Sequence, residues 1–101
     1  MIIKILLLIF VVSSVKAEKE ETEKYDFKTE KELMDAWKAY KIKYGKSYGP
    51  AEDAIHLREF VKSCRLITKQ NKLYDQGLST SVAGLNEFAD MTDEEMKPWR
   101  G

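Results

Sequence analysis

The sequence predicts a mainly α fold: an antiparallel helix pair forming a stem, followed by a short edge strand and a short third helix. Three observations lead there. Large apolar residues recur at helical spacing in two stretches on either side of a Gly45 to Pro50 connection. Thr29 with Glu32, and Thr92 with Glu95, have the spacing of capping boxes, in which a hydroxyl and a carboxylate satisfy backbone N–H groups at a helix start. Between them, after Gly77, the helical period gives way to a short polar stretch and then to alternation.

The first helix begins at the Thr29 cap. Leu33, Trp37, Tyr40 and Tyr44 follow at i, i+4, i+7 and i+11 and share a face, with Met34 alongside. Gly45 is suited to end the helix in the left-handed conformation, which costs glycine nothing. Pro50 fits a first helical position, and Glu52 and Asp53 follow at the positive end of the helix dipole. The second helix is expected over 50–76, with Ile55, Phe60, Cys64, Ile67 and Asn71 along or beside one side, broadened by Leu57, Val61 and Leu66. Leu78 and the run Ser79, Thr80, Ser81, Val82, Ala83 suit an edge strand. Asn86 and Phe88, two apart, then fall on one side of an extended segment. The Thr92 box opens a helix of little more than one turn, and Pro98 is expected to end it.

Ahead of this domain, expected over 29–97, stands a different kind of sequence. Lys4 precedes an unbroken apolar run over 5–12, and Val15, Lys16, Ala17 form a small-residue cleavage site, so 1–17 is expected to be a secretory signal peptide. The run is far shorter than the ~20 residues that span a bilayer. Residues 18–28 mix charges of both signs around Tyr25 and Phe27 and predict a mobile leader; 98–101 form a tail.

Composition excludes several function classes. The chain carries 17 basic and 17 acidic residues; Lys4 and Lys16 leave with the signal and no acid does, so the remainder has 15 against 17 and a net charge of −2. That balance offers no electrostatic reason to bind nucleic acid or, after signal removal, a membrane. A single Cys and a single His, Cys64 and His56, cannot assemble a zinc site or an internal disulfide, and both fall within the second helix. No enzyme activity, metal or cofactor is expected. Cys64 is expected to be a buried, inert thiol in a monomer, with a disulfide dimer as the alternative.

Two motifs carry a resemblance. Gly84, Asn86, Phe88 and Asp90 form Gly-x-Asn-x-Phe-x-Asp, and Glu52, His56, Phe60, Ser63, Ile67 and Asn71 stand at spacings of 4, 4, 3, 4 and 4. The first resembles the GNFD box of papain-family propeptides. The second resembles the ERFNIN helix of the cathepsin L-like branch, with His56 and Ser63 where the family has Arg and Asn. Trp37, Tyr40, Tyr44 and Tyr48 before it, and the acidic run after Asp90, occur in the family's order. The chain is thus similar to stand-alone, crammer-like propeptide inhibitors of cysteine peptidases.

That resemblance implies an inhibitor, secreted or endolysosomal, of a papain-family, cathepsin L-like cysteine peptidase. Docking would run through the GNFD region, with the following segment entering the active cleft in reverse. Carried over by position, Phe88 is the docking aromatic, Met96 stands where an apolar aromatic usually follows the Glu pair, and residues 98–101 approach the cleft. Met91 suits a partner's apolar groove or core filling, while Trp99 and Arg100 are of types enriched at binding hot spots. Asp90 is expected either as a turn residue or as a lock on the stem. His56 is expected to be protonated and held by Glu52 or another carboxylate such as Asp90. A helical interaction module or peptidase-folding assistant without inhibitory activity is the alternative, and a zymogen fragment a third reading.

Overall fold

The computed structural model describes residues 22–100. The expected signal peptide at 1–17 and the first part of the leader lie outside the described residues. Three helices follow in order: α1, Glu30–Tyr44; α2, Pro50–Asp75; and α3, Asp93–Arg100. The capping box of α1 forms as its spacing predicts, with Thr29 Oγ1 accepting the Glu32 N–H at 3.1 Å and Glu32 Oε2 accepting the Thr29 N–H at 3.2 Å. Gly45 closes the helix at φ 65°, in the left-handed region. At the other end of the connection, Pro50 opens α2 behind an extended Gly49. Gly77, at φ 77°, lets the chain turn off α2 so that the Leu78 N–H reaches back to the Leu73 carbonyl at 2.9 Å.

The two long helices are antiparallel, since partners on α2 fall in number as those on α1 rise. Leu33 shares a cavity wall with Val61 and Arg65, Trp37 meets Phe60 with ring centroids 5.1 Å apart, and Lys41 pairs with Asp53 at 2.6 Å. Trp37, Tyr40, Phe60 and Cys64 form the buried centre, with Ile67 one turn further along. A ring such as Trp37 or Phe60 buries ~150–250 Å², worth about 4–6 kcal/mol gross. The Trp37 indole N–H donates to Asp53 Oδ2 at 3.1 Å, so burying the ring strands no donor. The apolar stripe is narrower than expected: Ile55, Leu66 and Met34 are 46 %, 68 % and 40 % exposed. Each lies toward the edge of its helix, where no second layer arrives to cover it.

Two further expectations differ from the structure. No strand occurs among the described residues; 79–85 is extended but lies on α2 rather than beside another strand. Residues 22–28, expected as part of a mobile leader, run along the same helix in the opposite direction to it. Lys24 pairs with Asp75 at 2.6 Å, the Tyr25 N–H donates to Thr68 Oγ1 at 2.6 Å, and Phe27 packs on the core. The physical reason is shared: helix side chains supply the hydrogen bonds that a neighbouring strand would otherwise give. Asn71, fully buried, supplies three of them. Its Nδ2 donates to the carbonyls of Glu23 at 2.6 Å and Ala83 at 2.9 Å, and its Oδ1 accepts the Ala83 N–H at 2.8 Å. One side chain thereby ties both extended segments to α2.

Truncating the ring or the amide should be comparably damaging for different reasons. Phe60→Ala opens a cavity between the helices and is expected to cost about 3–5 kcal/mol. Asn71→Ala leaves one N–H and two carbonyls without their partner and is expected to cost ~2 kcal/mol or more, with faster amide exchange at Ala83. Denaturant titration and amide exchange check both; a cost below ~1 kcal/mol for Asn71→Ala would mean that water replaces its bonds.

Candidate functional site

Extended chain 79–85 leads into a tight turn over 86–91. The turn has local determinants: Asn86 Oδ1 accepts the Phe88 N–H at 2.9 Å, and the Ala89 and Met91 N–H groups reach the carbonyls of Asn86 and Phe88. What fixes it to the stem is a set of donors from the two long helices and their connection. Leu85, Asn86, Glu87 and Ala89 offer their carbonyls to Tyr44 Oη at 3.2 Å, Tyr40 Oη at 2.8 Å, Lys46 Nζ at 2.7 Å and Ser63 Oγ at 2.5 Å. With the Phe88 carbonyl taken by Met91, every carbonyl from Leu85 to Ala89 has a donor.

Asp90 stands at the centre of this set with no exposed surface. Tyr48 Oη donates to its Oδ2 at 2.6 Å, while Tyr40 Oη and Lys46 Nζ each lie 3.2 Å from its Oδ1. Of the two expected roles, this is the lock on the stem. Burial, together with the Asp90 charge and its hydrogen bonds, pushes the pKa of both the Tyr40 and the Tyr48 hydroxyl well above the usual range, so both remain donors.

A second latch joins α2 to α3. His56 Nδ1 lies 2.7 Å from the Glu52 carbonyl, its Nε2 lies 3.0 Å from both Glu95 oxygens, and the Tyr48 ring stacks on the imidazole at 4.0 Å. Both ring nitrogens face acceptors, an arrangement that the imidazolium satisfies by donating from each. The carboxylate partner is therefore Glu95, not the expected Glu52 or Asp90 side chain; Glu52 contributes only its carbonyl, and its side chain is exposed. Burial acts to lower the His56 pKa, but the Glu95 hydrogen bond, the Glu52 carbonyl and the charges of Glu95 and Asp90 outweigh it and leave the value raised. Glu95 is also the capping-box acid of α3, accepting the Thr92 N–H at 2.9 Å. That backbone bond, then the one to His56, holds its pKa down.

Among the remaining site candidates, Phe88 is half-buried and meets the Trp99 ring at 5.3 Å in a tilted arrangement, leaving Trp99 65 % exposed. Met91 and Met96 are half-buried. Arg100 closes α3, and its side chain lies outside the described residues. Pro98 does not end the helix but sits inside it; proline's fixed φ is itself helical, while its ring forgoes the bond toward the Glu94 carbonyl and crowds that oxygen. Trp37, Phe60, Ile67 and Asn71 are buried in the stem, as are His56 and Asp90; Gly84 and Asn86 are exposed. The sequence marks Glu95 as the capping acid of α3 but does not reveal its bond to His56, nor the bonds of Lys46 and Ser63 to the turn. Cys64 is 1 % exposed, and burial pushes its thiol up to about 12, so it is protonated, and a bridge to another chain would require the stem to open. Among the described residues, no three His, Cys, Asp or Glu side chains gather as a metal site would need, and no helix is long and apolar enough to cross a membrane.

The latch predicts a pH window for stability. His56 has its folded pKa raised, so its stabilisation is complete below the unfolded value of ~6.5 and is lost as pH rises through the folded value. Glu95 has its pKa lowered, so its contribution is present above the unfolded ~4.3 and is lost as pH falls through the folded value. Maximum stability is expected between about pH 4.5 and 6.5. In thermal melts, His56→Arg should gain more, or lose less, at pH 7.5 than at pH 5, because Arg keeps its charge. An equal change at the two pH values would show that His56 does not titrate in the latch.

Comparison with known proteins places these features. The family model of the cathepsin propeptide inhibitor domain (I29) matches residues 37–96, more than half of the chain. A cathepsin L-like proteinase of Fasciola hepatica is 40 % identical over 63 residues, covering 62 % of this chain and 19 % of the relative. Protein CTLA-2-alpha of Mus musculus is 34 % identical over 65 residues, 64 % of this chain and 47 % of its own. Cystein proteinase inhibitor protein salarin of Salmo salar is 32 % identical over 68 residues, 66 % of this chain and 20 % of its own. The chain thus spans between about a fifth and a half of the length of these relatives. No solved structure matches it. The matched region runs from the buried Trp37 through the ERFNIN-like helix and the Asp90-anchored turn to Met96, and the chain belongs to the cathepsin propeptide inhibitor domain family.

Proposed function

We infer that this protein is a non-enzymatic inhibitor of papain-family, cathepsin L-like cysteine peptidases. The single observation that carries the reading is the turn over 86–91: every carbonyl from Leu85 to Ala89 is taken up internally, while Phe88 and Trp99 pair at its outer edge with Trp99 largely exposed. A rigid turn carrying an aromatic pair loses little conformational entropy on docking, which favours affinity. Met91 and Met96 extend the same end of the molecule with flexible apolar side chains. In this reading α3 and the residues after Pro98 approach the active cleft with the chain running opposite to a substrate. Reversed, the backbone presents its carbonyls wrongly to the thiolate and oxyanion hole, so occupancy does not lead to rapid cleavage. The signal-like stretch at 1–17 and the mildly acidic window of the His56 latch suit a secreted or endolysosomal setting.

The inhibitor-named relatives support inhibition; the specific alternative is a module that binds or assists a peptidase without blocking it. One titration separates them. The activity of a cathepsin L-like peptidase against rising inhibitor concentration should fall to zero, with a cathepsin B-like peptidase less affected. Binding by calorimetry without loss of activity would establish the module instead.

Within the inhibitory reading, Phe88→Ala should weaken inhibition by ~2 kcal/mol or more, roughly thirtyfold, with helix content retained. Trp99→Ala should weaken it less than additively when combined with Phe88→Ala, because each ring orients the other. Weakening that merely tracks a loss of melting temperature would make Phe88 a core residue rather than a docking one.

A further inference from the structure

Glu23 lies before residue 37, where the family match begins, yet its carboxylate is bonded to the Gly-x-Asn-x-Phe-x-Asp segment at Leu85 while its carbonyl is bonded to α2 at Asn71. Its carbonyl accepts Asn71 Nδ2 at 2.6 Å, which seats the leader on α2 beside Ala83. Its carboxylate Oε2 accepts the Leu85 N–H at 3.3 Å and the Tyr25 hydroxyl at 2.9 Å. The same oxygen lies where it would stand 3.1 Å from a Cβ built on Gly84. Gly84 has no positive φ, so backbone conformation does not demand glycine there. Among the described residues, the Glu23 carboxylate is what a side chain at position 84 would meet.

We propose that Glu23 is a positioning residue for the docking turn. With its backbone carbonyl held to α2 by Asn71, its carboxylate clamps Leu85 and occupies the space over Gly84, so the leader forms part of the functional unit. The consequence reaches the turn directly: Leu85 precedes Asn86, and its carbonyl is already held by Tyr44, so the clamp on its N–H fixes the last extended residue before the turn that presents Phe88. The Tyr25 hydroxyl, bonded to the same oxygen, limits the rotamers open to Glu23. Glu23 thereby couples residues 22–28 to the presentation of an aromatic pair contributed by 88 and 99.

This role rests on the inhibitory reading, and the test keeps the two separable. Glu23→Ala, Glu23→Gln, Gly84→Ala and the Glu23→Ala, Gly84→Ala double variant are compared in the full chain by Leu85 amide exchange, melting temperature and inhibition of a cathepsin L-like peptidase. Glu23→Ala should speed Leu85 exchange and weaken inhibition, each about fivefold, with the helix signal unchanged. Glu23→Gln should restore both, because its Oε1 still accepts the Leu85 N–H. Gly84→Ala should weaken inhibition in the parent and do so less in the Glu23→Ala background, a rescue that a purely structural leader would not produce. Unchanged Leu85 exchange in Glu23→Ala overturns the clamp, whether or not the chain inhibits. Faster exchange with undiminished inhibition overturns its positioning role. If the parent inhibits no peptidase, the inhibitory reading falls and with it the role in docking, while Leu85 exchange still decides the clamp.

Discussion

A buried carboxylate, Asp90, is the constraint on which the rest of this small domain depends. Taking an ionised carboxyl out of water is expensive and is tolerated only where charge and hydrogen bonds replace the lost hydration. Here the replacement comes from three places in the chain: Tyr40 on α1, and Lys46 and Tyr48 on the connection. Tyr40 and Lys46 share one oxygen of Asp90, while Tyr48 holds the other, so loss of Tyr48 would leave one oxygen buried without that donor. The carboxylate therefore specifies where the connection lies, how α1 faces the turn and where α3 starts. A register that withdrew these partners would strand the buried group, which disfavours it.

The second organising device is the use of helix side chains in place of a sheet. A single extended segment on a helix has unpaired backbone groups along its length, and two such segments lie on α2 without touching as strands. Thr68, Gln70 and Asn71, within one turn of α2, supply the missing partners. An amide is the side chain best suited to this, because it carries the same donor and acceptor as a peptide unit. That explains a fully buried Asn71 beside a core of aromatic rings, Cys64 and Ile67. It also explains why residues 22–28, so rich in charge, are nonetheless placed.

Charge at the other end of α2 is handled differently. His56 bridges the Glu52 carbonyl and Glu95, beneath the stacked Tyr48 ring. Tyr48 thus touches both latches, donating to Asp90 through its hydroxyl and covering His56 with its face. Placing a titrating residue in that bridge makes the seating of α3 weaken as pH rises through the raised pKa of His56, whereas the lock at Asp90 is donated by two tyrosines that stay protonated and a lysine. Ser63 offers a single hydroxyl to the Ala89 carbonyl, a short contact that brings the turn close to α2.

Local chemistry was legible in the sequence because it is written in neighbouring residues. The Thr29 and Thr92 capping boxes, the left-handed Gly45, the proline at the start of α2 and the shared face of Trp37 and Tyr40 all follow from spacings of three or four residues, and all recur in the structure. The Gly-x-Asn-x-Phe-x-Asp motif likewise marked the segment that the stem holds. Tertiary structure alone decided the partners. Periodicity places His56 one turn from Glu52, but only the return of the chain through α3 brings Glu95, 39 residues away, to its Nε2. Charge composition marks 18–28 as solvated, yet Asn71, 48 residues distant, binds the Glu23 carbonyl. Ile55 and Leu66 read as core by type and are exposed, because a domain this small has no second layer to cover them. A hydrogen bond between distant residues leaves no mark in spacing; it exists only once the backbone has returned, and here that return is fixed by the burial of Asp90.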